Sequence, residues 1–158
     1  MSADEYLDPM HSLGYLCRIN FRVFSRMLEG YTLPHGVSAG QWRFLRVLWE
    51  QDGISQRELS ERVGTREPTT VRAVRSMIEA GLIERRPCNR DKRKYFIDLT
   101  PRGRELRAEL MHMVVTVNGR ALLGISDEEI ATTRRVLART YHNLHESMQN
   151  NSVDDNHD

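Results

Sequence analysis

The sequence of 158 residues contains very little lysine: Lys92 and Lys94 are the only lysines among its 23 basic residues, and all the others are arginines. It has two cysteines, Cys17 and Cys88, and their separation matches neither a zinc-ligand spacing nor a disulfide framework. Charged residues interrupt every apolar run before it could span a bilayer. The acidic N-terminus lacks the apolar region of a secretory signal. We therefore expect a cytoplasmic protein with no membrane partner.

The short motifs of common enzyme classes are also missing. We find no phosphate-binding glycine loop, no nucleophile elbow and no zinc-hydrolase motif. His142 and His145 are three residues apart, close enough on a helix to share a metal, but no matching carboxylate or cysteine motif accompanies them. The sequence thus predicts a protein that is not an enzyme, with no cofactor and no metal.

Positive charge is concentrated in one part of the chain. The formal net charge is only +1, yet residues 54–104 carry 13 basic residues against 7 acidic ones. Within residues 85–94, six bases accompany the single acid Asp91. Such a basic patch in a near-neutral protein is typical of nucleic-acid binding, although charge alone leaves a merely solvated surface open.

Helices are predicted on both sides of this basic segment. The apolar spacing predicts a first helix from about Asp8 to Glu29, ended by Gly30 and with Cys17 on its apolar stripe. Capping boxes mark the starts of three later helices, at the pairs Ser38 and Gln41, Ser55 and Glu58, and Ser126 and Glu129. A further long helix is predicted to open at Thr100-Pro101.

The basic segment itself reads as a winged helix-turn-helix. A short helix over 55–63 is followed by a turn at Gly64 and a second helix from about Thr65 to Ala80. Two short strands, 82–86 and 95–99, then flank a polar basic loop and form the β-hairpin wing. In such modules the second helix lies in the DNA major groove.

The helical period assigns faces to this second helix. Val71, Val74 and Ile78 are predicted to point inward, with Met77 at the edge. The opposite face is predicted to read bases, because arginine pairs with guanine and hydroxyls accept or donate at base edges; it carries Thr69, Arg72 and Ser76.

Other polar residues are expected to bind the DNA backbone or the minor groove. Phosphate contacts are assigned to Arg66, Arg75, Ser55 and Gln56. The wing tip offers Arg90, Lys92 and Arg93 to the minor groove, and Asp91 is expected to stiffen the loop by binding Arg93.

At this point the sequence resembles the MarR (multiple antibiotic resistance regulator) family of winged helix-turn-helix transcription factors. The motifs that carry the resemblance are Ser55-Gln56-Arg57-Glu58-Leu59-Ser60, Thr69-Thr70-Val71, Glu79-Ala80-Gly81-Leu82-Ile83, Asp91-Lys92-Arg93 and Leu99-Thr100-Pro101-Arg102-Gly103. Pro68 is a departure, since many members carry serine there. The resemblance implies a homodimer that binds double-stranded DNA at an inverted-repeat operator, and in many relatives a small aromatic acid or related anion releases the DNA.

The expected architecture is mainly α with a small β-hairpin wing. It comprises an N-terminal dimerisation helix (1–36), the winged helix-turn-helix (37–100), C-terminal dimerisation helices (101–149) and a disordered acidic tail (150–158). The apolar stripes of the first and last two helices exceed what one winged helix can cover, which favours a second copy of the chain as their partner.

The expected function is that of a sequence-specific transcriptional regulator, a homodimeric repressor released by a small organic anion. Candidate effector-binding residues are Tyr15, Arg18, Trp42 and Arg46, with core packing and solvation as the competing interpretation. Two alternatives remain open at this stage. One is a winged-helix module that binds proteins and not DNA; the other is a DNA-binding regulator without small-molecule control, either constitutive or sensing oxidants at Cys88.

Overall fold

A computed structural model describes residues 7–88 and 95–154 of the chain. Six α-helices and three short strands lie in these two ranges. The helices are α1 (Leu13–Thr32), α2 (Ala39–Glu50), α3 (Gln56–Val63), α4 (Glu67–Glu79), α5 (Pro101–Ala121) and α6 (Asp127–Asp154). The strands are β1 (Ile54–Ser55), β2 (Ile83–Pro87) and β3 (Tyr95–Leu99). This mainly helical fold with a small sheet confirms the predicted fold class.

The strands form one antiparallel sheet in the order β1-β3-β2. The hairpin of β2 and β3 was predicted, and its register pairs Ile83 with Leu99 and Arg85 with Ile97. Strand β1 was not predicted, because its two residues pair with Ile97 and Phe96 directly before α3 and show no periodicity of their own. The predicted wing-tip residues Arg90, Asp91, Lys92 and Arg93 lie outside the described residues.

The chain divides after Val117 into two compact units. In the first, a core of large apolar side chains joins α2, α3, α4, the sheet and the start of α5. Its fully buried members include Phe44, Leu45, Leu48, Leu59, Val74, Met77, Ile83, Ile97, Leu106 and Leu110. This core fixes the positions of α3, α4 and the sheet, which carry the candidate interface.

Three helix ends differ from the prediction. Helix α1 begins at Leu13 and not at about Asp8, because Pro9–His11 form a separate 3₁₀ turn before it. Gly30 lies inside α1, and the chain leaves the helix through a 3₁₀ turn (Leu33–His35) that ends at Gly36 with φ of 78°. A glycine inside a helix is only about 1 kcal/mol less favourable than an alanine, so the helix can continue through Gly30 when tertiary contacts stabilise it. At the other end of the chain, α6 continues to Asp154, into the segment predicted to be a disordered tail.

The predicted caps are present with one modification. Ser38 and Gln41 make both hydrogen bonds of a capping box, and so do Ser126 and Glu129. At α3, the Ser55 hydroxyl accepts from the Glu58 N–H, but the Glu58 carboxylate pairs with Arg62 instead of returning to Ser55.

A close approach at Gly103 fixes α5 against the sheet. A side chain at Gly103 would overlap the carbonyl oxygen of Leu82 and would lie 3.1 Å from Leu99 Cδ2. The same Leu82 carbonyl accepts a hydrogen bond from the Thr100 N–H at 3.1 Å, so it cannot move away cheaply. Trp49 adds a third constraint, since its indole N–H donates to the Gly103 carbonyl at 2.8 Å.

Candidate nucleic-acid interface

Helix α4 is the element predicted to enter the major groove, and it begins at Glu67. Arg66 is its N-cap residue and Pro68 lies in its first turn, where the missing N–H costs no helical hydrogen bond. Among the described residues, no side chain caps this end. Pro68 has no N–H, and the Thr69 N–H donates to the Arg66 carbonyl at 3.0 Å, so the start of α4 offers few backbone donors to an anion.

The buried face of α4 differs from the predicted one. Thr70, Val74 and Met77 are buried, whereas Val71 is 45% exposed and Ile78 is 37% exposed. The prediction that Val71 and Ile78 point inward and Met77 lies at the edge was therefore wrong. The spacing 70, 74, 77 fits one helical face as well as the spacing 71, 74, 78. The prediction followed the second set because its residues are all apolar, whereas the first set includes a threonine, which is usually exposed.

The opposite face of α4 matches the prediction. Thr69, Arg72 and Ser76 are exposed. The Ser76 hydroxyl accepts a hydrogen bond from Gln41 Nε2 at 2.9 Å, and its own O–H remains available as a donor. Among residues 7–88 and 95–154, no carboxylate lies within 4 Å of the Arg72 guanidinium, so this arginine is unpaired there.

Arg75 and Glu79 form an ion pair one turn apart on the same exposed side of α4. The distance from Arg75 Nε to Glu79 Oε1 is 2.9 Å. Pairs of this kind on a helix surface are weak, so the pair orients Arg75 without removing it from other partners.

Helix α3 begins beside the sheet. Ser55 and Gln56, assigned to phosphate binding, are both half-buried, and the Ser55 hydroxyl is occupied as the N-cap of α3. On the exposed side of α3, Arg57 donates to Glu61 at 3.0 Å. The hydrogen bond that Arg57 donates to Glu61, followed by the charges of Glu61 and Glu67, raises the pKa of Arg57 above its ordinary value.

An unpredicted interaction stiffens the base of the wing. Arg86 donates to both oxygens of Asp98, at 2.9 and 3.3 Å, and its guanidinium lies 5.2 Å from the ring centroid of Phe96. The sequence predicted this stiffening role for Asp91 and not for Asp98. The alternation of β3 offers a signal for it, since Asp98 lies between the buried residues Ile97 and Leu99 and must face the other side.

The four candidate effector residues occupy different surroundings. Tyr15 and Arg18 contact each other on α1, with the guanidinium 5.2 Å from the ring centroid. Trp42 belongs to the core, where its ring meets Trp49 edge to face at 5.4 Å.

Arg46 lines a small cavity of about 80 Å³ with Trp49, Glu50, Arg107 and Met111. Its guanidinium lies 3.5 Å from the Met111 sulfur, while Arg107 donates to the Trp49 carbonyl at 3.3 Å. A larger neighbouring cavity of about 340 Å³ shares Trp49, Glu50 and Arg107. Sequence analysis missed Arg107, because one arginine on an exposed helix gives no signal of the cavity beside it.

The remaining candidate groups give no further site. Cys17, predicted to pack within the apolar stripe of α1, is exposed, and Cys88 is half-buried. His142 and His145 both contact the ring of Tyr141. Within the described ranges, no three histidine, cysteine or acidic side chains group as they would around a metal ion. No helix described is long and apolar enough to cross a membrane.

Two helices joined by a glycine turn, packed against an antiparallel hairpin, define a winged helix-turn-helix protein. The sequence model of the MarR family matches residues 37–95, which comprise α2, α3, α4 and β2 and end at the first residue of β3. Together with the structural relatives described next, this match confirms the resemblance to the MarR family of transcriptional regulators. Members of this family are regulators and not enzymes.

Several solved structures are similar to this chain. A MarR transcriptional regulator from Methanosarcina mazei Go1 is 23% identical, with a TM-score of 0.79 over 85% of this chain and 96% of that one. A probable transcriptional regulator from Pseudomonas aeruginosa is 26% identical, with a TM-score of 0.71 over 82% and 96%. A putative MarR family regulator from Listeria monocytogenes, solved with a 26mer DNA, is 20% identical, with a TM-score of 0.79 over 86% and 91%.

Proposed function

We propose that this protein is a homodimeric, sequence-specific repressor that binds an inverted-repeat operator in double-stranded DNA and is released by a small organic anion. The observation that carries the proposal is the exposed face of α4, where Arg72 has no carboxylate within 4 Å among the described residues. An unpaired arginine on a helix of this fold is suited to bidentate pairing with guanine O6 and N7. The fold shared with the Listeria protein, which was solved with DNA, supports the same conclusion.

The residues divide by the part of the DNA that they contact. Base reading falls to Arg72, Thr69 and Ser76. The backbone phosphates are bound by Arg66, Arg75 and the start of α3 at Ser55 and Gln56. Since the Ser55 hydroxyl is already occupied, α3 offers its N–H groups and the Gln56 amide. In the wing, Arg90, Lys92 and Arg93 contact the minor groove and Asp91 stiffens the loop.

The exposed apolar side chains support a dimer. On α1, Phe21 and Val23 are more than half exposed, and on α6 so are Tyr141, Leu144 and Met148. Large apolar side chains exposed on a helix in this way favour a protein interface on each of the two helices. A two-fold dimer places two copies of α4 in successive major grooves, so the half-sites lie about one helical turn apart.

The cavity lined by Arg46 supports an anionic effector. Arg46 and Arg107 both lack a carboxylate within 4 Å in the described part of the chain, and Trp49 supplies an aromatic wall, so the two guanidinium charges outnumber the one carboxylate of the lining, Glu50. Two guanidinium groups beside an aromatic ring suit an aromatic carboxylate. The role of aromatic wall, predicted for Trp42, is thus proposed for Trp49 instead.

The DNA-binding proposal is tested with the DNA upstream of the protein's own gene. Wild-type protein is expected to shift this DNA in a mobility assay. Arg72→Ala should lose discrimination at one operator position, by about 1–3 kcal/mol. Binding-site selection measures it, and identical preferences for variant and wild type would contradict the role of Arg72. If the wild type shifts no DNA, a module that binds proteins becomes the better interpretation.

The dimer is tested by sedimentation. Leu144→Glu places a charge on the apolar face of α6 and should shift the protein toward a monomer. Asn143→Glu is the matched control, because it adds the same charge on another face of the same helix. A monomeric wild type at micromolar concentration would contradict the proposal.

The effector is tested with benzoate and its neutral analogue benzamide. Benzoate should bind in calorimetry and release DNA, benzamide should do neither, and Arg46→Gln should abolish the difference. If neither compound acts but an oxidant releases the DNA, and Cys88→Ser prevents this, the regulator is controlled by its thiol. If no treatment releases DNA, regulation is constitutive.

A further inference from the structure

A groove separates α4 from strand β2, and its chemistry matches a DNA backbone. Its volume is about 400 Å³, and its lining consists of Val71, Arg75, Ile78 and Glu79 from α4 and Arg85 from β2. The lining thus combines an apolar floor with two guanidinium groups and one carboxylate. Sequence analysis assigned no DNA contact to Val71, Ile78 or Arg85.

Arg85 points into this groove because of the register of the sheet. Cross-strand partners share a face, and Arg85 is paired with the buried Ile97. Its side chain therefore leaves β2 on the side of the sheet that packs on the core, toward α4. Within the described ranges, no carboxylate lies within 4 Å of its guanidinium, so its charge is available to a ligand.

The geometry of a DNA duplex predicts which part of the DNA lies between α4 and β2. If α4 occupies a major groove and the wing the adjacent minor groove, the two elements lie on either side of one sugar–phosphate strand, because that strand separates the two grooves. We propose that the groove between α4 and β2 seats this strand, with Arg85 and Arg75 at its phosphates and Val71 and Ile78 against the apolar faces of its deoxyriboses. This inference rests on the DNA-binding function proposed above.

Glu79 is expected to weaken the binding of the DNA backbone in this groove. Its carboxylate holds Arg75 at 2.9 Å and places a negative charge beside a polyanion. Glu79→Gln removes this repulsion, so it should tighten DNA binding and steepen its salt dependence. Glu105→Gln, on the exposed surface of α5, removes the same charge outside the groove and is the control for net charge.

The decisive measurement is the salt dependence of operator binding by wild type, Arg85→Gln and Arg85→Lys. Arg85→Gln should weaken binding about tenfold at each half-site and make the slope of log affinity on log salt shallower by about 0.9 for each phosphate that is no longer neutralised. Arg85→Lys keeps the charge and should retain the slope. Because Arg85 is exposed, all three proteins should melt at the same temperature.

Neutral methylphosphonates, placed one phosphate at a time in the operator, locate the phosphate that Arg85 binds. One position per half-site should weaken the wild type and leave Arg85→Gln unaffected. Val71→Ala should weaken binding equally on thymine- and deoxyuridine-containing operators, since a sugar contact ignores the base. A loss that appears only with thymine would show Val71 reading a methyl group and overturn its role here.

Failure of this inference is distinct from failure of the function. If wild type binds the operator but Arg85→Gln keeps its affinity and slope, or Glu79→Gln gains no more than Glu105→Gln, the groove does not seat the backbone. If wild type does not bind any DNA, the DNA-binding proposal itself is wrong.

Discussion

Gln41 and Ser76 are hydrogen-bonded across two helices: Gln41 Nε2 donates to Ser76 Oγ at 2.9 Å. The Gln41 carbonyl oxygen accepts at the same time from the Ser38 N–H at 3.0 Å, completing the capping box of α2. A single amide, only 8% exposed, thus links the start of α2 to the face of α4 that is proposed to contact DNA. Gln41 is therefore a positioning residue for that face.

This link predicts a measurable coupling. Ser76→Ala should lower the free energy of unfolding by about 1 kcal/mol, because it leaves a nearly buried amide N–H without its acceptor. A double-mutant cycle with Gln41→Ala, measured by urea denaturation, should give a coupling energy of about 0.5–1.5 kcal/mol. Additive effects of the two substitutions would mean that the hydrogen bond does not connect the helices in solution.

Gly103 and Gly119 form a matched pair within α5. Gly103→Ala should destabilise the protein by about 1–3 kcal/mol or more, because the new methyl group overlaps the Leu82 carbonyl. At Gly119, no atom of the described residues lies within 4 Å of the position that a side chain would take, so Gly119→Ala should raise helix stability by about 0.5–1 kcal/mol. Thermal denaturation of the two variants measures the contrast, and a Gly103→Ala protein as stable as wild type would contradict the close approach.

Thr70 is fully buried on α4, and its hydroxyl has no hydrogen-bond partner among the described residues. Thr70→Val should raise the free energy of unfolding by about 1 kcal/mol, since it replaces an unsatisfied hydroxyl with a methyl group of similar size. Thr69→Val is the control, because Thr69 is exposed and the substitution should change stability little. Unchanged or reduced stability of Thr70→Val, measured by denaturant unfolding, would mean that the hydroxyl finds a partner in solution.

A carboxylate network ties the α1–α2 connection to α5. Arg102 donates to Glu109 at 2.5 Å, and His35 Nδ1 lies 3.1 Å from the same carboxylate. The hydrogen bond from Arg102, the largest cause, and that from His35 lower the pKa of Glu109 below its ordinary value of 4.5. A lowered pKa in the folded state means that the carboxylate stabilises the protein above pH 4.5 and that this contribution is lost as the pH falls below it.

We therefore expect Glu109→Gln to flatten the loss of stability on acidification. The measurement is the melting temperature of wild type and variant between pH 6 and about pH 3, because the difference should appear at neutral pH and shrink in acid. Glu105→Gln removes a carboxylate of the same helix that lies 4.0 Å from Arg102 and serves as the control. Parallel curves for Glu109→Gln and wild type would contradict the role of the network.

Local signals of the sequence determined the order of elements. Three local signals act over a few residues and can be read without knowing the tertiary contacts. They are the capping residues at Ser38 and Ser126, the proline at the start of α5, and the short runs of β2 and β3 on either side of a polar loop. The basic segment and the motifs at Ser55 and Asp91 likewise carried the resemblance to the MarR family. The exposed face of α4, with Thr69, Arg72 and Ser76, followed from helical period alone.

Only the tertiary structure decided which residues meet. It buried Thr70 in place of Val71 and Ile78, because the surface that receives α4 is built by α2, α3 and the sheet, and no local pattern encodes its shape. It also paired Arg86 with Asp98 and brought Arg85 beside α4, since both depend on the register of strands eight or more residues apart. Contacts across such separations arise from packing, whereas caps and helical stripes arise from the chain itself.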